Sequence, residues 1–421
     1  MLTANLLSVI VLSTKLMTGG AVEKLKSTES NTVTGEAFYN REVERRLIRE
    51  KIENGTHLLL TGQRRMGKSS LAREIGRALE DEKGDEWNYI FVDIQSCLSG
   101  AELVARLAEV VYQHSGFKNK IKSWLASVLK QTEKVEQISV SDISIKLTNN
   151  LNAGNWQLKG RELLQEIESS EKRTYLVFDE FPDVVNKVHA NEGVKGVETL
   201  LDWLRPEIQA SVPNQKISIL LSGSIGLEPV LQRLSLSNKI NNLAIYRLKP
   251  WKRTIAKNCL LALVNYRDIT VDEAAIDYLL DELGVYIPFH IQRTWASLYT
   301  YCQEEEKHRV TIEDAQYVFK HIILKSESDS MICHYEERLE ETLGEQYFLI
   351  AIKLLDKMCT GEPLNVGAAS EFKKENTADI DVHYILKVLT HDGDLDEEDD
   401  DAWVFNDCLL RKWWQKRKNL R

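Results

Sequence analysis

The chain has 421 residues, of which 43% are hydrophobic and 28% charged. This composition excludes a disordered or fibrous protein, and at roughly 150 residues per domain the length predicts two or three domains. The net charge of −10 excludes a general attraction for DNA or anionic lipid, so such a contact would need a local basic patch. The six cysteines are scattered without a C-x-x-C pair, which indicates reduced thiols in a cytoplasmic protein and no zinc site.

The N-terminal segment does not fit the pattern of a folded domain. Residues 1–17 hold a short apolar run interrupted by Lys15, and no basic stretch precedes it. The run is short for a membrane-spanning helix and lacks the charged start of a secretory signal. We expect a disordered or wrongly assigned start, with Met17 as an alternative initiator, and no membrane anchor. Residues 18–35 are polar and rich in Gly, Ser and Thr, which predicts a flexible lead-in over the first 35 positions (1–35).

Helical and extended patterns alternate after this segment. A charged amphipathic helix is predicted over residues 41–54, with an apolar stripe of Val43, Leu47, Ile48 and Ile52. Four apolar runs (HLLLTG, NYIFVDI, RTYLVFDE and KISILLSGS) predict buried strands, separated by helices at LAREIGRALE, 101–130, 160–169 and 196–210. Residues 135–158 alternate between apolar and polar, which predicts a β-hairpin at the rim of the sheet. The order predicts an α/β fold with a parallel sheet over residues 36–248, including a helical and β-hairpin insertion at about 100–160.

The C-terminal part of the chain predicts two smaller units. Residues 249–330 are helical by pattern and are expected to form a lid. Residues 331–421 begin with helices near 345–358 and 381–390, followed by the acidic turn HDGDLDEEDDD, the strand AWVF and the helix LLRKWWQKR. Helices followed by a β-wing predict a winged-helix domain, which Trp413 and Trp414 are expected to pack.

A phosphate-binding loop is the most specific motif. Residues 62–69, GQRRMGKS, match G-x-x-x-x-G-K-[ST] in full, between a predicted strand and a predicted helix. Glycines let the loop wrap a phosphate, and the following helix offers its positive N-terminus. Lys68 would place a charge on the β- and γ-phosphates, and the Ser69 hydroxyl would bind Mg²⁺, so the sequence predicts an ATP site. The residues expected to hold ATP here are Gly62, Gln63, Arg64, Arg65, Met66, Gly67, Lys68, Ser69 and Ser70.

Two further strand ends carry candidate catalytic groups. Asp179 and Glu180 follow an apolar strand, where Asp179 would hold Mg²⁺ and Glu180 would orient or deprotonate the attacking water. Ser224 and then Ser222, at the end of the next strand, are candidates for contact with the γ-phosphate or that water. An ordinary strand-to-turn transition is the alternative interpretation of the two serines. The predicted catalytic set is therefore Glu180, Lys68 and Ser224.

The order of these motifs resembles the archaeal-type, or archaeal-STAND, branch of the AAA+ ATPases, which is related to the STAND signalling ATPases and to the origin-recognition/Cdc6 ATPases. The resemblance spans residues 36–421 and depends on FYNREVERRL, GQRRMGKSS, LVFDE, LLSGS and the ending FNDCLLRKWW. It implies that Phe38, Asn40, Arg41 and Glu42 lie near the adenine, although this sequence has Asn40 where the family usually has Gly. Pro288, in LGVYIPFHIQ, is similar to a lid proline that contacts the base, and an ordinary helix-start proline is the alternative.

The resemblance also raises the question of an arginine finger. Arg233 or Arg247 would reach a neighbouring copy, or each would be an ordinary surface arginine, while Arg64 and Arg65 would supply charge within the chain. Self-association is therefore expected.

The negative charge of the predicted wing argues against binding to DNA. Its acids would repel phosphate, and they are Asp392, Asp394, Asp396, Glu397, Glu398, Asp399, Asp400 and Asp401. Lys387 is the firm cation of the predicted recognition helix, and the basic tail reads as a solvated helix end. We expect the winged helix to be a clamp or protein-docking module of an ATP-driven switch that signals to a protein partner. The alternatives are a DNA-associated ATPase of the origin-recognition type, or a nucleotide-binding module without turnover.

Overall fold

The structure is a computed structural model of the chain. It describes residues 23–28, 32–129, 140–151, 154–209, 215–223, 226–326, 328–376, 380–398 and 402–419. The expectations for residues 1–17 and for Ser224 lie outside these ranges. Within the described ranges, no helix combines the length and the apolar character that crossing a bilayer requires. All six cysteines are free thiols, as predicted.

Five parallel strands form the central sheet. They are β1 (Leu58–Thr61), β2 (Trp87–Asp93), β3 (Arg173–Asp179), β4 (Ile217–Ser222) and β5 (Ala244–Arg247). The sheet order is β2-β3-β4-β1-β5, with every neighbouring pair parallel. The first four strands were predicted because helices cover both faces and the strands are therefore apolar on both sides. The edge strand β5 was not predicted, because half of its residues are exposed and its apolar signal is weak.

Eight helices flank this sheet in the described chain. They are α1 (Glu42–Glu53), α2 (Lys68–Lys83), α3 (Gly100–Gln113), α4 (Lys122–Leu129), α5 (Val140–Asn150), α6 (Trp156–Glu168), α7 (Phe181–Gln209) and α8 (Leu227–Arg233). Separate hydrophobic clusters fill the two faces of the sheet, one under α1 and α2 and one under α3 to α8. The α/β fold class is therefore confirmed. In α1, Ile48 and Ile52 are buried as predicted, whereas Val43 and Leu47 are exposed.

The predicted β-hairpin at 135–158 is wrong. Residues 140–150 form helix α5, which packs on α3, and α6 begins at Trp156. A short segment that alternates between apolar and polar residues can fit the period of a strand or that of a helix. Burial decides between them, because Leu147 is fully buried whereas Ile145, which would share its face in a strand, is 63% exposed. Residues 135–139 and 152–153 of the predicted hairpin lie outside the described chain.

The lid and the winged helix follow the predicted order. The lid contains α9 (Arg253–Asn265), α10 (Glu273–Leu283), α11 (Pro288–Glu304), α12 (Ile312–Tyr317), a π-helix (Val318–Ser326) and the two short strands β6 (Thr270–Val271) and β7 (Arg309–Val310). Helix α13 (Ser328–Leu343) leads to α14 (Glu345–Met358), β8 (Leu364–Asn365), α15 (Val366–Asn376), α16 (Val382–Asp392), β9 (Leu395–Glu398), β10 (Ala402–Phe405) and α17 (Cys408–Lys418). The small sheet has the order β8-β10-β9, which is the wing that the sequence predicted.

One hydrophobic core runs through the lid and the winged helix. Trp413 and Trp414 lie in it, as predicted, and their indole N–H groups donate to Ile323 O at 3.1 Å and to Asp356 Oδ1 at 2.8 Å. The boundary placed at 330/331 stays a prediction, because packing is continuous across it. The two units are therefore expected to move together rather than independently.

The lead-in contacts the folded body, which differs from the prediction of a flexible segment. Leu25 is 3% exposed in the lid core, and its N–H donates to Ala262 O at 2.9 Å. Further along, the Val33 N–H donates to Ser70 Oγ at 3.1 Å. These contacts could not be predicted from the polar composition of the segment, because a single apolar residue and backbone groups make them.

Candidate nucleotide-binding site

The predicted P-loop joins β1 to α2 at the carboxyl edge of the sheet. Gly62 has φ +138°, and a Cβ there would lie 2.6 Å from Leu248 O, so the loop needs glycine at this position. Arg65 and Gly67 have φ of 69° and 84°, and α2 begins at the next residue, Lys68. Because the loop ends at a helix N-terminus, unpaired N–H groups and the positive end of the helix dipole face it. This is the local geometry that binds a phosphate.

Lys68 lies inside the loop. It is 6% exposed, and its Nζ donates to the carbonyl oxygens of Gly62 at 2.7 Å and Gln63 at 3.0 Å. Burial lowers the pKa of Lys68 to about 8, with Arg338 acting in the same direction and the Glu180 carboxylate opposing it. An anion beside the amine would favour its charged form.

Asp179 and Ser222 meet where β3 and β4 end side by side. Asp179 is 7% exposed, and the Ser222 hydroxyl donates to its Oδ1. A hydroxyl that holds a carboxylate fixes the direction in which the other carboxylate oxygen points. The structure thus brings Ser222 next to the predicted metal ligand Asp179. Ser224, which the sequence analysis preferred for contact with the γ-phosphate or the attacking water, lies outside the described chain.

Glu180 has an uncommon backbone conformation. Its φ is 62°, a left-handed value that costs a residue with a side chain about 1 kcal/mol or more. The end of β4 approaches closely: a Cβ on Gly223 would lie 2.3 Å from Pro182 Cδ and 3.6 Å from Glu180 Oε2. A strained residue held by close packing is typical of a functional position.

Asp183 adds a third carboxylate that the sequence analysis missed. Burial raises its pKa to about 6, and the charge of Glu180 adds to the effect. Its Oδ1 is buried without a hydrogen-bond partner, while its Oδ2 accepts from Gln95 Nε2 at 3.3 Å. Asp183 lies in the first turn of α7, a helix that the sequence analysis placed only from residue 196 onwards.

These groups fit a magnesium ion. The Asp179 carboxylate and the Ser69 hydroxyl are hard oxygen ligands, and Mg²⁺ in P-loop proteins takes few protein ligands beside water and phosphate oxygens. In the described part of the chain, no group of three or more His, Cys, Asp or Glu residues could hold a metal by itself. A Mg²⁺ at this site would therefore depend on the phosphates for most of its ligands.

The turn before α1 has a left-handed backbone at two successive residues, and its position near the adenine stays a prediction. Asn40 and Arg41 have φ of 60° and 76°, and Asn40 Oδ1 accepts the Arg41 N–H at 2.7 Å. Asparagine tolerates the left-handed region, so Asn40 can adopt this turn although it carries a side chain. Arg41 is 4% exposed, donates to Lys249 O at 2.8 Å and lies 5.7 Å from the Trp251 ring centre. Arg41 thereby joins this turn to the start of the lid.

Pro288 begins helix α11 of the lid, as its sequence context predicted, and is half-buried. The next residue, Phe289, contacts the P-loop directly: the Arg65 guanidinium lies 4.2 Å from its ring centre. Sequence analysis had chosen the proline and missed the phenylalanine. Whether Pro288 contacts adenine stays a prediction.

The winged helix also contacts the P-loop. Gln63 Nε2 donates to Asp407 Oδ2 at 3.3 Å, and a Cβ on Gly393 would lie 2.7 Å from Gln63 Cβ. Asp407 caps α17 through the N–H groups of Leu409 and Leu410, both at 3.0 Å. One carboxylate therefore fixes a helix start and a contact between domains.

Two acids predicted to be solvated are buried beside this contact. Asp392 and Asp394 are each 4% exposed, whereas Asp396 is exposed on the wing strand β9. Asp392 Oδ1 accepts the Gly226 N–H at 3.0 Å, and Asp394 Oδ2 accepts from Tyr335 at 2.9 Å. The acidic run is not one solvated wing, because its first members lie at the end of α16, where Asp392 contacts the α/β domain and Asp394 contacts α13.

Both candidate finger arginines contact the winged helix of the same chain. Arg247 Nη2 donates to Thr390 O and His391 O, both at 3.4 Å. The Arg233 guanidinium lies 5.2 Å from the Tyr384 ring centre. Each arginine therefore holds α16, and a finger role for either stays a prediction.

No family model and no curated protein matches this sequence. Among solved structures, the Walker-type ATPase PABY2304 of Pyrococcus abyssi matches with a TM-score of 0.59 and 17% identity, over 93% of this chain and 98% of that one. The ORC2 protein of Aeropyrum pernix, in ADPNP–ADP complexes, matches with a TM-score of 0.51 and 13% identity, over 90% of this chain and 94% of that one. These likenesses confirm the fold that the resemblance implied, that of the AAA+ P-loop ATPases with a lid and a winged helix. The STAND relationship stays a prediction.

Proposed function

We propose that this protein is a Mg²⁺-dependent ATPase that works as a conformational switch, in which the nucleotide controls the contact between the winged helix and the P-loop. The observation that carries the proposal is the Gln63–Asp407 hydrogen bond, which places the C-terminal domain directly on the phosphate-binding loop. A change of charge or shape in that loop would reach the winged helix without an intermediate element.

The site supports hydrolysis as well as binding. Lys68 lies in the loop, Asp179 is held by Ser222, and Glu180 follows Asp179 in a strained conformation at the same edge of the sheet. These are the roles that phosphoryl transfer needs: a phosphate cation, a metal ligand and a group that orients water. The Aeropyrum protein of the same fold was solved with ADPNP and ADP, which supports a nucleotide at this loop.

The position of α16 favours the switch over a DNA-associated ATPase. This helix is the expected recognition helix, and it packs on α8 of the core. Its Lys387 donates to Gln232 Oε1 at 3.4 Å, and His391 pairs with Glu228 at 3.1 Å. In this arrangement α16 could not enter a DNA groove without leaving the core. Signalling through a protein partner and self-association remain part of the proposal.

Glu180→Gln tests the proposal. The variant keeps the size of the side chain but removes the carboxylate that would activate water, so we expect hydrolysis to fall by about 100-fold or more with ATP affinity retained. The measurements are phosphate release and ATP binding by calorimetry, together with small-angle scattering with ATP and with ADP. We expect the variant to stay in the ATP-bound shape, while the wild type returns to the ADP-bound shape.

Glu192→Gln is the matched control, because Glu192 is exposed on α7 and outside the site. It should behave as the wild type in every assay. The absence of hydrolysis in the wild type would favour a binding module without turnover, whereas measurable hydrolysis that is unchanged in Glu180→Gln would contradict the role of Glu180. Identical scattering with ATP and with ADP would contradict the switch.

A further inference from the structure

A polar cavity lies at the amino edge of the central sheet, at the opposite end of the strands from the P-loop. Its volume is about 460 Å³, which is within the range of small-molecule sites. Its walls are the end of α2, the start of β2, the turn after α3 and the turn between α6 and β3. None of the residues that the sequence analysis selected as functional lines it.

The floor of the cavity is polar, although the strand behind it is apolar. Asn88 of β2 is 4% exposed, and Ile90 and Val92, which share its face of the strand, are buried in an apolar cluster. Asn88 Nδ2 donates to the Ser170 hydroxyl at 3.2 Å, and Ser170 is buried as well. Within the described ranges no group donates to Asn88 Oδ1. The fold thus keeps an amide with an open acceptor where an apolar side chain would extend the cluster.

Gly116 keeps the space in front of this oxygen open. A Cβ there would lie 3.2 Å from Asn88 Oδ1 and 3.3 Å from His114 Nδ1. The φ of Gly116 is outside the left-handed region, so the backbone does not require glycine at this position. What the glycine provides is access to Asn88 Oδ1 from the cavity.

The ends of three helices make the field in the cavity negative. Helices α2, α3 and α6 all end at its wall, and a helix C-terminus carries about half an elementary negative charge on its unpaired carbonyl groups. Amines of the chain already respond to this field. Lys172 Nζ donates to Gly84 O at 2.5 Å. Lys216 Nζ donates to Ser170 O at 2.6 Å. The walls of the cavity therefore bind ammonium groups.

Two carboxylates add to this field from different walls. Glu80 belongs to α2, and Glu171 belongs to the turn before β3. Glu80 Oε1 lies 3.5 Å from His114 Nε2, which is the outer limit of a hydrogen bond. Glu171 is exposed at the rim and forms no ion pair with another described residue. Lys120, also in the wall, is exposed to water, which screens its charge. Both carboxylates are therefore available to a cation.

We propose that this cavity binds a small aliphatic diamine, whose protonated amines contact the Glu80 and Glu171 carboxylates and Asn88 Oδ1. A primary amine is protonated at neutral pH and donates three hydrogen bonds, which suits a site made of acceptors. The inference does not rest on the proposed function, because the cavity and the P-loop are at opposite edges of the sheet. Helix α2 begins at the P-loop and ends at the cavity, so the ligand would contact the helix that carries Lys68.

Calorimetry with putrescine, a four-carbon diamine, tests the site on the full chain without nucleotide. Salt at about 0.15 M screens the general attraction of an amine for an acidic chain. We expect binding at one site with a Kd below about 1 mM. Butanediol, which has the same carbon chain without charge, should not bind. No binding of putrescine at this concentration, or equal binding of butanediol, would overturn the inference.

Two variants locate the binding. Glu171→Gln removes one carboxylate, and Gly116→Leu fills the space in front of Asn88 Oδ1. We expect each of them to weaken putrescine binding by about 10-fold or more. The control Glu304→Gln removes an exposed acid of the lid and changes the net charge by the same amount, so it should keep the wild-type Kd. An equal loss in Glu171→Gln and in the control would show that only net charge attracts the amine, and the proposal would be wrong.

Melting temperatures without ligand separate binding from folding. Gly116 and Glu171 are both exposed, so both variants should melt as the wild type does. If Gly116→Leu melts lower, Glu171→Gln still decides, because it changes no packing. ATP hydrolysis by the wild type distinguishes this inference from the proposed function. Hydrolysis without putrescine binding overturns only the diamine site, whereas putrescine binding without hydrolysis supports the site and contradicts the proposed function.

Discussion

The P-loop core (residues 36–248) and the winged helix place their functional groups in different ways. In the core, Lys68 belongs to one continuous loop, and Asp179 and Glu180 are adjacent at the end of one strand. In the winged helix, the contact that matters joins Gln63 to Asp407, which are 344 residues apart in sequence. A local motif therefore describes the first region, whereas only the tertiary fold describes the second.

The acids of the two regions differ in the same way. Asp396 lies exposed on the wing as its acidic neighbours suggest, whereas Asp392 and Asp394, in the same run, are buried against the core. Burial raises the pKa of both buried acids, while exposed acids have water around them. A run of like residues is therefore not evidence of a shared role, because helix and turn geometry divide the run.

The largest effect is expected in the core, from Lys68→Ala. Removing the Lys68 amine should lower ATP hydrolysis by about 100- to 1000-fold, because Lys68 is the cation predicted to contact the β- and γ-phosphates. Steady-state phosphate release checks this. Lys83→Ala, on the same helix but in a surface pair with Glu53 at 2.8 Å, is the control and should keep wild-type activity. Activity within about 10-fold of wild type in Lys68→Ala would contradict the assignment of the site.

The second-largest expected effect is a dependence of the free energy of unfolding on pH, which comes from Asp394 of the winged helix. Burial raises the pKa of Asp394 from 3.8 to about 7, so the folded state holds this proton more tightly than the unfolded state does. The contribution of this proton to the free energy of unfolding is fully present below pH 4 and is lost as the pH rises through 7. Between pH 5 and pH 7 the loss should be about 2 kcal/mol.

Asp394→Asn and the exposed control Asp396→Asn sharpen this test. Unfolding by urea at pH 5, 6 and 7 measures the free energy for each variant and for the wild type. Asp394→Asn should make the loss of stability smaller by about 2 kcal/mol, because Asp183 and Asp392 also have raised pKa values and still titrate, and Asp396→Asn should keep the full loss. Equal pH profiles for the two variants would mean that Asp394 is not protonated in the folded protein.

Most of the order of elements could be predicted because most elements leave a local signal, and the edge strand β5 is an exception. The strand runs, the glycine-rich loop and the pair Trp413 and Trp414 gave the sheet, the P-loop and the packed winged helix. The hairpin failed because Ile145 and Leu147 fit alternation and a helix equally well, and only packing on α3 separates them.

The rest of the site could not be predicted from local patterns. Asp407 carries a readable helix-cap signal, but nothing beside it indicates that its second oxygen contacts the P-loop. Phe289 and Arg338 likewise reach the loop from the lid and from α13, and their sequence neighbours are ordinary helical residues. Contacts between distant segments depend on how domains dock, which periodicity does not encode.

The smallest effect concerns the contact between the two regions itself. Gln63→Ala removes the donor to Asp407 Oδ2 and leaves the cap of α17 intact, since Asp407 Oδ1 makes the cap hydrogen bonds. We expect a loss of about 1 kcal/mol in the free energy of unfolding. Asp407→Ala removes the cap as well and should cost about 2 kcal/mol. The double variant then isolates the contact, because the effect of Gln63→Ala should disappear when Asp407 is already absent. Additive losses would mean that Gln63 stabilises the loop by another route and that the core and the winged helix are not coupled through this hydrogen bond.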